Sequence, residues 1–273
     1  MNGNTIGERI AAKRKELGFS QQKLAEALHI SFQAVSKWET GSASPDIEFL
    51  PKLAEILETT TDALLGFQTR KTTIYEKRYQ SEEYYWGFQP NYLCYEIMQR
   101  KPPVKPYRVL DIGCGEGKDA VFLARNGYLV DAFDLSETGV EKARKLAENC
   151  GVAVNFFQAD MNDFQPKEAY DIIFCSGVLH WLAQEKRNPF FEMLQNATAE
   201  DGLHVMNVFV EKPFIQHAPD ADESEFRQKW LSGELFTYYT DWHLPHIEEF
   251  VFDCNSGGTP HKHCMDVMIA KKP

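Results

Sequence analysis

The spacing of apolar positions along this chain changes character near residue 70. Residues 1 to 66 carry apolar side chains at helical spacing, interrupted by turn residues, and this pattern predicts five short helices. From about residue 108 onward, apolar runs of strand length alternate with helical stretches. That alternation indicates a parallel sheet with right-handed crossovers. We therefore predict two domains, residues 1–67 and 74–273, with a polar connector at 68–73 between them.

The predicted N-terminal helices have recognisable caps and stops. Ser20 and Ser31 precede helical stretches as N-caps, and Gly18 and Gly41 follow others as stops. Five helices are predicted: Ile6 to Leu17, Gln21 to Leu28, one capped by Ser31 that runs through Val35 and Trp38 to a stop at Gly41, one that starts at Pro45 and Asp46 and continues past Leu57, and a last turn from Thr60 to Leu65.

A strand, a glycine turn and a helix follow one another at the start of the second domain. Val109, Leu110 and Ile112 form a short apolar run, and Gly113, Gly115 and Gly117 follow it before a helix predicted over Lys118 to Asn126. Glycine has no side chain, so such a turn lets the backbone approach a ligand closely. The spacing is G-x-G-x-G, whereas the dinucleotide fingerprint is G-x-G-x-x-G.

The remaining strands complete the predicted sheet. The second strand ends on Asp134, about twenty residues after the glycines, where an acidic group takes the hydroxyls of a ribose. Ser136 then caps a helix that runs to Asn149. The strands after the first are predicted at Leu129 to Phe133, Val154 to Ala159, Tyr170 to Cys175, Gly202 to Val210, His246 to Phe252 and Met265 to Ala270, the last two forming an antiparallel hairpin.

The composition is that of a globular protein and does not by itself indicate an active site. A hydrophobic content of 43% with 25% charged residues is ordinary for a globular protein, and no apolar run approaches the ~20 residues of a bilayer span. The six cysteines form no C-x-x-C pair, which favours reduced thiols and a cytoplasmic location. A net charge of −11 argues against the whole molecule coating nucleic acid, although one DNA-reading face remains compatible with it.

The run S-Q-Q-K-L-A-E-A-L-H-I-S-F-Q-A-V-S-K-W-E-T-G resembles the helix-turn-helix of the Cro and repressor family. In that family the second helix of the motif enters the major groove. The resemblance implies double-stranded DNA as a partner. Two questions stay open: whether the protein forms a homodimer, and whether this domain serves only as a protein-interaction module. Residues 1–70 hold 8 Lys/Arg against 9 Asp/Glu, so this domain is not generally basic. The resemblance places Gln21 near phosphate and Ser31, Phe32, Gln33, Ser36 and Lys37 on the DNA-facing side.

The glycine loop together with Asp134 resembles the S-adenosylmethionine-dependent methyltransferases of the Rossmann-like class, from about Tyr75 to the C-terminus. The resemblance implies a mostly parallel seven-stranded sheet with an antiparallel edge hairpin, and S-adenosylmethionine as the cofactor. It implies that the glycine loop holds the methionine end, that Asp134 binds the ribose, and that Asp160 with Met161 lies by the adenine. The remaining implied cofactor residues are Asp111, Leu135, Cys175 and Trp86, the last from an aromatic segment that also contains Tyr84 and Tyr85.

The acceptor side is predicted at the carboxyl ends of the strands, where open sheets bind ligands. His180 and His261 are candidate bases or positioning groups there, and Arg187 is a candidate anion clamp. The segment K-W-L-S-G-E-L-F-T-Y-Y-T-D-W and the P-H-K-H hairpin are similar to the tellurite-resistance type of small-molecule methyltransferase. That similarity implies methyl transfer to a small, soft or anionic acceptor, toward which His261 projects.

The same residues admit three other interpretations of the second domain. A transcription regulator that only senses S-adenosylmethionine would share the same cofactor residues, and only turnover separates it from an enzyme. A DNA methyltransferase is disfavoured for two reasons. The segment after the fourth strand reads C-S-G-V-L-H-W and does not resemble the Asn/Asp-Pro-Pro-aromatic segment of the amino-methylating DNA enzymes. The chain also has no Pro-Cys dipeptide, which the cytosine-C5 type needs for its nucleophile. Zinc bound by Cys254, His261, His263 and Cys264 is also disfavoured, because the spacing is unusual and His263 and Cys264 would point to opposite faces, so no metal is predicted.

Overall fold

The computed structural model describes residues 5–66, 73–215, 228–255 and 260–273. The chain divides into two compact units, Met1–Lys71 and Thr72–Pro273, and each is described by itself. Of the predicted connector at 68–73, only Thr73 lies within the described residues, so the predicted domain boundaries stay predictions.

The first unit is helical throughout its described residues. Its fourth predicted helix begins as a 3-10 turn, Ile47–Phe49, and becomes an α-helix at Leu50 with a proline in the first turn. The side chains of Ser20 and Ser31 accept hydrogen bonds from backbone N–H groups three residues on, so both predicted N-caps are confirmed. The helices are α1 Ile6–Glu16, α2 Gln21–Leu28, α3 Phe32–Glu39, α4 Leu50–Ile56 and α5 Thr61–Leu65.

A small apolar core joins these five helices. Leu24 of α2, Val35 of α3 and Leu53 of α4 are all fully buried. Trp38 packs its ring against Phe49, with 5.6 Å between the ring centroids. Because α2 and α3 bury one face each, the opposite face of α3 is left to solvent.

The second unit is built on one seven-stranded sheet with the order β3-β2-β1-β4-β5-β7-β6. β1 to β5 pair in parallel, whereas β7 runs antiparallel to both β5 and β6. This topology confirms the predicted fold class. The strands are β1 Arg108–Ile112, β2 Leu129–Asp134, β3 Asn155–Gln158, β4 Tyr170–Cys175, β5 Thr198–Val210, β6 His243–Cys254 and β7 His261–Lys271. The helices are α6 Ile74–Arg78, α7 Tyr92–Arg100, α8 Lys118–Arg125, α9 Glu137–Asn149, α10 Arg187–Asn196 and α11 Glu234–Thr237, with 3-10 turns at Leu179–Trp181 and Gln184–Lys186.

The two faces of the sheet carry separate apolar layers. Val109 belongs to the layer that also includes residues of α7, α8 and α9. Its neighbour Leu110 belongs to the opposite layer, with residues of α10 and Trp230. Successive residues of a strand point to opposite faces, so a strand buried on both sides appears in the sequence as a continuous apolar run.

The edge of the sheet extends further than its apolar pattern indicated. β6 and β7 run from His243 and from His261, whereas the predicted strands started at His246 and Met265. Backbone pairing continues through polar and charged residues, because one face of an antiparallel edge can be solvated. Of the predicted connection between these strands, residues 256–259 lie outside the described residues.

Candidate cofactor site and candidate DNA-facing helix

The glycine loop between β1 and α8 has a backbone that only glycine adopts readily. Gly113, Gly115 and Gly117 have φ angles of 73°, 53° and 86°. A Cβ atom at Gly117 would lie 2.6 Å from the Cβ of Ala143 in α9, and one at Gly115 would lie 2.9 Å from the hydroxyl of Tyr79. Both the dihedral angles and the lack of space therefore require glycine, and the predicted strand, turn and helix are present.

Asp134 closes this loop from the neighbouring strand. Its carboxylate accepts hydrogen bonds from the backbone N–H of Gly115, at 2.9 Å, and of Ser136, at 2.8 Å. Burial raises the pKa of Asp134, and the hydrogen bonds from Ser136 and Gly115 oppose that rise. The two bonds use different carboxylate oxygens, and each oxygen has a second lone pair that can accept from a ligand hydroxyl.

Asp111 is the second acid beside the loop. It is only 2% exposed, and within the described residues its Oδ2 atom has no hydrogen-bond partner. Burial, with a smaller contribution from nearby Asp119, raises its pKa well above the ordinary value. A buried carboxylate oxygen without a donor is costly, so this atom is suited to a ligand that brings an N–H or O–H group.

An aromatic cluster packs against the glycine loop. The indole N–H of Trp86 donates to the hydroxyl of Tyr79 at 2.9 Å, and the Trp86 backbone N–H donates to Glu116 within the loop. Tyr75 stacks on Tyr79 and tilts against Trp86. Trp86 was predicted beside the cofactor, but Tyr79, which is 3% exposed, was missed because nothing local distinguishes it from the other tyrosines of the segment.

The segment after β3 lies at the same edge of the sheet. The Asp160 carboxylate accepts from the backbone and the side-chain amide of Asn162, which holds it in its own turn. Met161 is 6% exposed and belongs to an apolar layer. The carbonyl of Leu135 accepts from the Gln158 side chain. These three residues follow the carboxyl ends of β2 and β3, and their predicted contacts with a cofactor stay predictions.

A polar cluster at the ends of β4 and β5 was missed by the sequence analysis. Asn207, 2% exposed, accepts from the backbone N–H of Gly177 at 2.6 Å and donates to the hydroxyl of Ser176 at 2.9 Å. Asn91 donates to the same hydroxyl at 3.0 Å. A single asparagine inside the apolar run of β5 was the signal available. Cys175, predicted near the cofactor, is fully buried, and burial raises its thiol pKa well above the ordinary value.

The structure brings His180 and the start of β7 to the same region. His180 is 4% exposed, and its ring lies 5.2 Å from that of Phe209. Phe209 in turn lies 4.9 Å from the ring of His263, and the Nε2 atoms of His263 and His261 are 2.9 Å apart. Because Val210 pairs with Cys264, the start of β7 lies at the carboxyl end of β5. His261 therefore lies at the carboxyl edge of the sheet, and its role toward an acceptor stays a prediction, while His180 is almost fully buried.

Arg187 does not face an open crevice. It is 2% exposed; its Nη1 atom lies 2.5 Å from Glu234, and its Nη2 atom donates to the carbonyl of Lys229. The guanidinium carbon lies 3.9 Å from the ring centre of Trp230. This arrangement does not support the predicted role as an anion clamp, because the cation is committed to fixing the segment from Lys229 to Glu234 against α10.

Helix α3 of the first unit is held by a buried ion pair. Arg14 of α1 contacts Glu39 at 2.6 Å, and both side chains are at most 10% exposed. The amide of Gln21 donates to the same carboxylate at 2.7 Å. Burial opposes ionisation of Glu39, but the hydrogen bonds from Arg14 and Gln21 outweigh it and lower the Glu39 pKa. Gln21, predicted near phosphate, is thus engaged within the domain by its amide.

The outward face of α3 carries the other predicted DNA-facing residues. Phe32, Gln33 and Lys37 are exposed, while Val35 and Trp38 on the opposite face are buried. Ser36 is half-buried, and Ser31 uses its hydroxyl as the N-cap of α3. The backbone of the turn between α2 and α3 passes through His29, which has a φ of 56°. Gln33 and Lys37 are therefore two exposed side chains, one helical turn apart on α3, whose hydrogen-bond donors face solvent.

Comparison with known families decides what the two units are. Residues 109–202 match the family model described as a methyltransferase domain, and residues 10–64 match the model described as a helix-turn-helix. The chain joins a helix-turn-helix domain to a methyltransferase domain. Within the residues that the structure describes, no helix is both long and apolar enough to span a membrane.

Two relatives and one solved structure resemble the methyltransferase domain. A protein of Geobacillus sp. (strain WCH70) that is provisionally named as a methyltransferase is 32% identical to this chain over 140 residues. The match covers 48% of this chain and 57% of that protein. TehB of Haemophilus influenzae (strain 10810), named as a probable S-adenosyl-L-methionine-dependent methyltransferase, is 24% identical over 71% of this chain and 63% of its own length. The chain thus spans 57% and 63% of these two curated relatives. The crystal structure of TehB from Haemophilus influenzae superposes with a TM-score of 0.59, at 20% identity, over 73% of this chain and 66% of that one, a likeness of fold.

The methyltransferase domain implies S-adenosylmethionine as its cofactor, and the residues around the glycine loop fit that group. Asp134 presents carboxylate lone pairs suited to ribose hydroxyls. The Oδ2 atom of Asp111, which has no hydrogen-bond partner among the described residues, is a suitable acceptor for the ammonium group of the methionine end.

Proposed function

We propose that the methyltransferase domain transfers a methyl group from S-adenosylmethionine to a small-molecule acceptor. The observation that carries this proposal is the carboxylate of Asp134, fixed by the backbone of Gly115 and Ser136 beside a loop that requires glycine. When bound, the cofactor would supply an electrophilic methyl group on a sulfonium. The matching family model over residues 109–202 supports the same reaction class.

The residues of this domain would contribute binding and positioning. Asp134 and Asp111 would hold the two ends of the cofactor, and the aromatic cluster of Tyr75, Tyr79 and Trp86 would cover the loop and exclude water. Methyl transfer is an in-line displacement, so fixing the geometry of the reactants supplies much of the rate. His180 and His261 lie on the side where an acceptor would approach, and either could orient it or take its proton.

The acceptor is proposed to be small and soft or anionic. The resemblance of the C-terminal segment to the tellurite-resistance type of methyltransferase supports this class. A thiolate or an oxyanion of a heavy chalcogen needs no strong base, so buried His180 would need only to orient it. The cofactor-sensing regulator remains a rival that no feature of the comparisons favours.

The test is a turnover assay with cofactor carrying a labelled methyl group. Purified full-length protein would be incubated with thiols, selenite, tellurite and a metabolite extract, and labelled products would be separated. The proposal expects at least one labelled small molecule from wild type and a strong loss with Asp134→Ala. Tight cofactor binding without any labelled product would instead support the sensing regulator.

We further propose that the helix-turn-helix domain binds double-stranded DNA through α3. The exposed amide of Gln33 can pair with adenine N6 and N7, and Lys37 can reach guanine or phosphate. Selection of the full-length protein on random duplexes should enrich one motif. Gln33→Ala should then relax preference at one position by ~1–3 kcal/mol, whereas Lys52→Ala in α4 serves as a control of equal exposure to solvent. A selection that enriches no motif would favour an interaction module.

A further inference from the structure

Three side chains with metal-binding atoms converge at the tip of the edge hairpin. Cys254 ends β6, and His261 and His263 begin β7. The thiol sulfur and one ring nitrogen from each histidine all lie within 4.8 Å of one another. All three residues are half-buried, so the cluster is neither enclosed in the core nor fully exposed.

The hairpin register explains why these residues meet although their sequence spacing is unusual. Cys254 pairs directly with His261 across the two strands. His263 is two residues further along β7 and therefore points to the same face as His261. Cys264 points to the opposite face and is 2% exposed in the core, so the fourth residue weighed from the sequence does not belong to the cluster.

The distance between the two imidazole nitrogens is close to that found around a coordinated metal. Zinc bonds of about 2.0–2.1 Å to nitrogen and about 2.3 Å to sulfur imply, in a tetrahedron, about 3.3 Å between two nitrogens and about 3.6 Å between nitrogen and sulfur. The Nε2 atoms of His261 and His263 are 2.9 Å apart and share a hydrogen bond. Separating the two Nε2 atoms by about 0.4 Å would match the nitrogen–nitrogen distance around zinc, and the sulfur, which lies within 4.8 Å of both nitrogens, would settle at about 3.6 Å from each.

We propose that Cys254, His261 and His263 form a binding site for a divalent transition metal of the zinc type. One sulfur and two imidazole nitrogens suit zinc or cobalt, whereas calcium and magnesium require oxygen ligands. Three protein ligands leave a fourth position for water, a thiolate or another anion. The site lies at the carboxyl edge of the sheet, and it stands on its own whether or not methyl transfer is confirmed.

Binding changes the protonation of the cluster in a defined way. The Cys254 thiol loses its proton to solvent as the sulfur–metal bond forms. The histidine that donates the Nε2–H bond to its neighbour carries that proton on Nδ1 instead, so both Nε2 lone pairs face the metal. One proton is therefore released for each metal ion bound, from the thiol.

The experiment uses the full-length protein, treated with a chelator and then titrated with cobalt(II). Wild type should bind one ion and show thiolate-to-cobalt charge-transfer absorption, and calorimetry with zinc in two buffers should show release of about one proton. Cys254→Ser should abolish the charge-transfer band, and His263→Ala should weaken cobalt binding by roughly 100-fold.

Matched controls separate this site from adventitious binding. Cys150→Ser, at the end of α9, and His246→Ala, on β6, remove the same atoms elsewhere and should leave the titration unchanged. Circular dichroism would verify that every variant is folded. The proposal is overturned if wild type shows no charge-transfer band, or if that band survives in folded Cys254→Ser.

Discussion

Replacement of Gly117 by alanine tests whether packing, as well as backbone conformation, requires glycine in the cofactor loop. Gly117 has a φ of 86°, so an alanine there pays a conformational cost of about 1–2 kcal/mol. Its Cβ would also lie 2.6 Å from the Cβ and 3.0 Å from the Cα of Ala143, part of the backbone of α9. Relieving that overlap should add about 1–3 kcal/mol.

Gly151 provides the matched control for this comparison. It also has a positive φ, 67°, but a Cβ there would have no neighbour within 4 Å among the described residues. Gly151→Ala should therefore lower the free energy of unfolding only by the conformational cost, about 1–2 kcal/mol. Gly117→Ala should lower it by about 2–5 kcal/mol in total.

Thermal unfolding followed by tryptophan fluorescence can measure the difference, because four of the five tryptophans lie in the second unit. At about 2–4 °C per kcal/mol, Gly117→Ala should melt at least ~2 °C below Gly151→Ala. Its affinity for S-adenosylhomocysteine should also fall, because α8 and the loop must move away from α9. Equal melting temperatures and equal affinities for the two variants would refute the packing argument.

Three further predictions concern the ion pair, a buried acid and the hairpin. Glu39→Gln should destabilise the first unit by about 3 kcal/mol at neutral pH, measured by hydrogen exchange of α1 and α3. Because the Glu39 pKa is lowered, that difference should shrink as the pH falls through the folded-state pKa, below the ordinary glutamate value of about 4.3. Burial raises the pKa of Asp266 to about 6, so ionisation of this residue destabilises the folded state at neutral pH. Asp266→Asn should therefore raise the free energy of unfolding in urea by about 1 kcal/mol at pH 7, and this gain should disappear below about pH 4. His261→Ala should lower methyl transfer by ~10²-fold while leaving S-adenosylhomocysteine affinity nearly unchanged, with exposed Lys262→Ala as the unaffected control.

The elements were largely predictable because their signals are local. Alternating apolar runs identified each strand, and Ser20, Ser31 and Ser136 identified three helix starts. The start of β5 at Thr198 was missed because its first residues are polar and the pairing with β4 is irregular between Tyr170 and Ile172.

The site was only partly predictable, because several of its contacts join residues distant in sequence. The glycines and Asp134 carry a spacing that can be recognised. Tyr79 contacts Gly115, and Glu76 accepts hydrogen bonds from Ser136 and Thr138, through packing that no local pattern encodes. Arg187 shows the opposite problem. Its position in the sequence suggested an anion clamp, but the side chain is buried against Trp230 and Glu234.

The most direct test of the cofactor site is calorimetric titration of S-adenosylhomocysteine into wild type, Asp134→Asn and Asp131→Asn. Both aspartates lie on β2, but Asp131 contacts Arg108, Asn155 and Tyr170 away from the glycine loop. Loss of a charge-assisted hydrogen bond should weaken binding to Asp134→Asn by ~1.5–3 kcal/mol, roughly 10- to 150-fold, and leave Asp131→Asn near wild type. Unchanged affinity in folded Asp134→Asn, or no binding by wild type, would contradict the assignment.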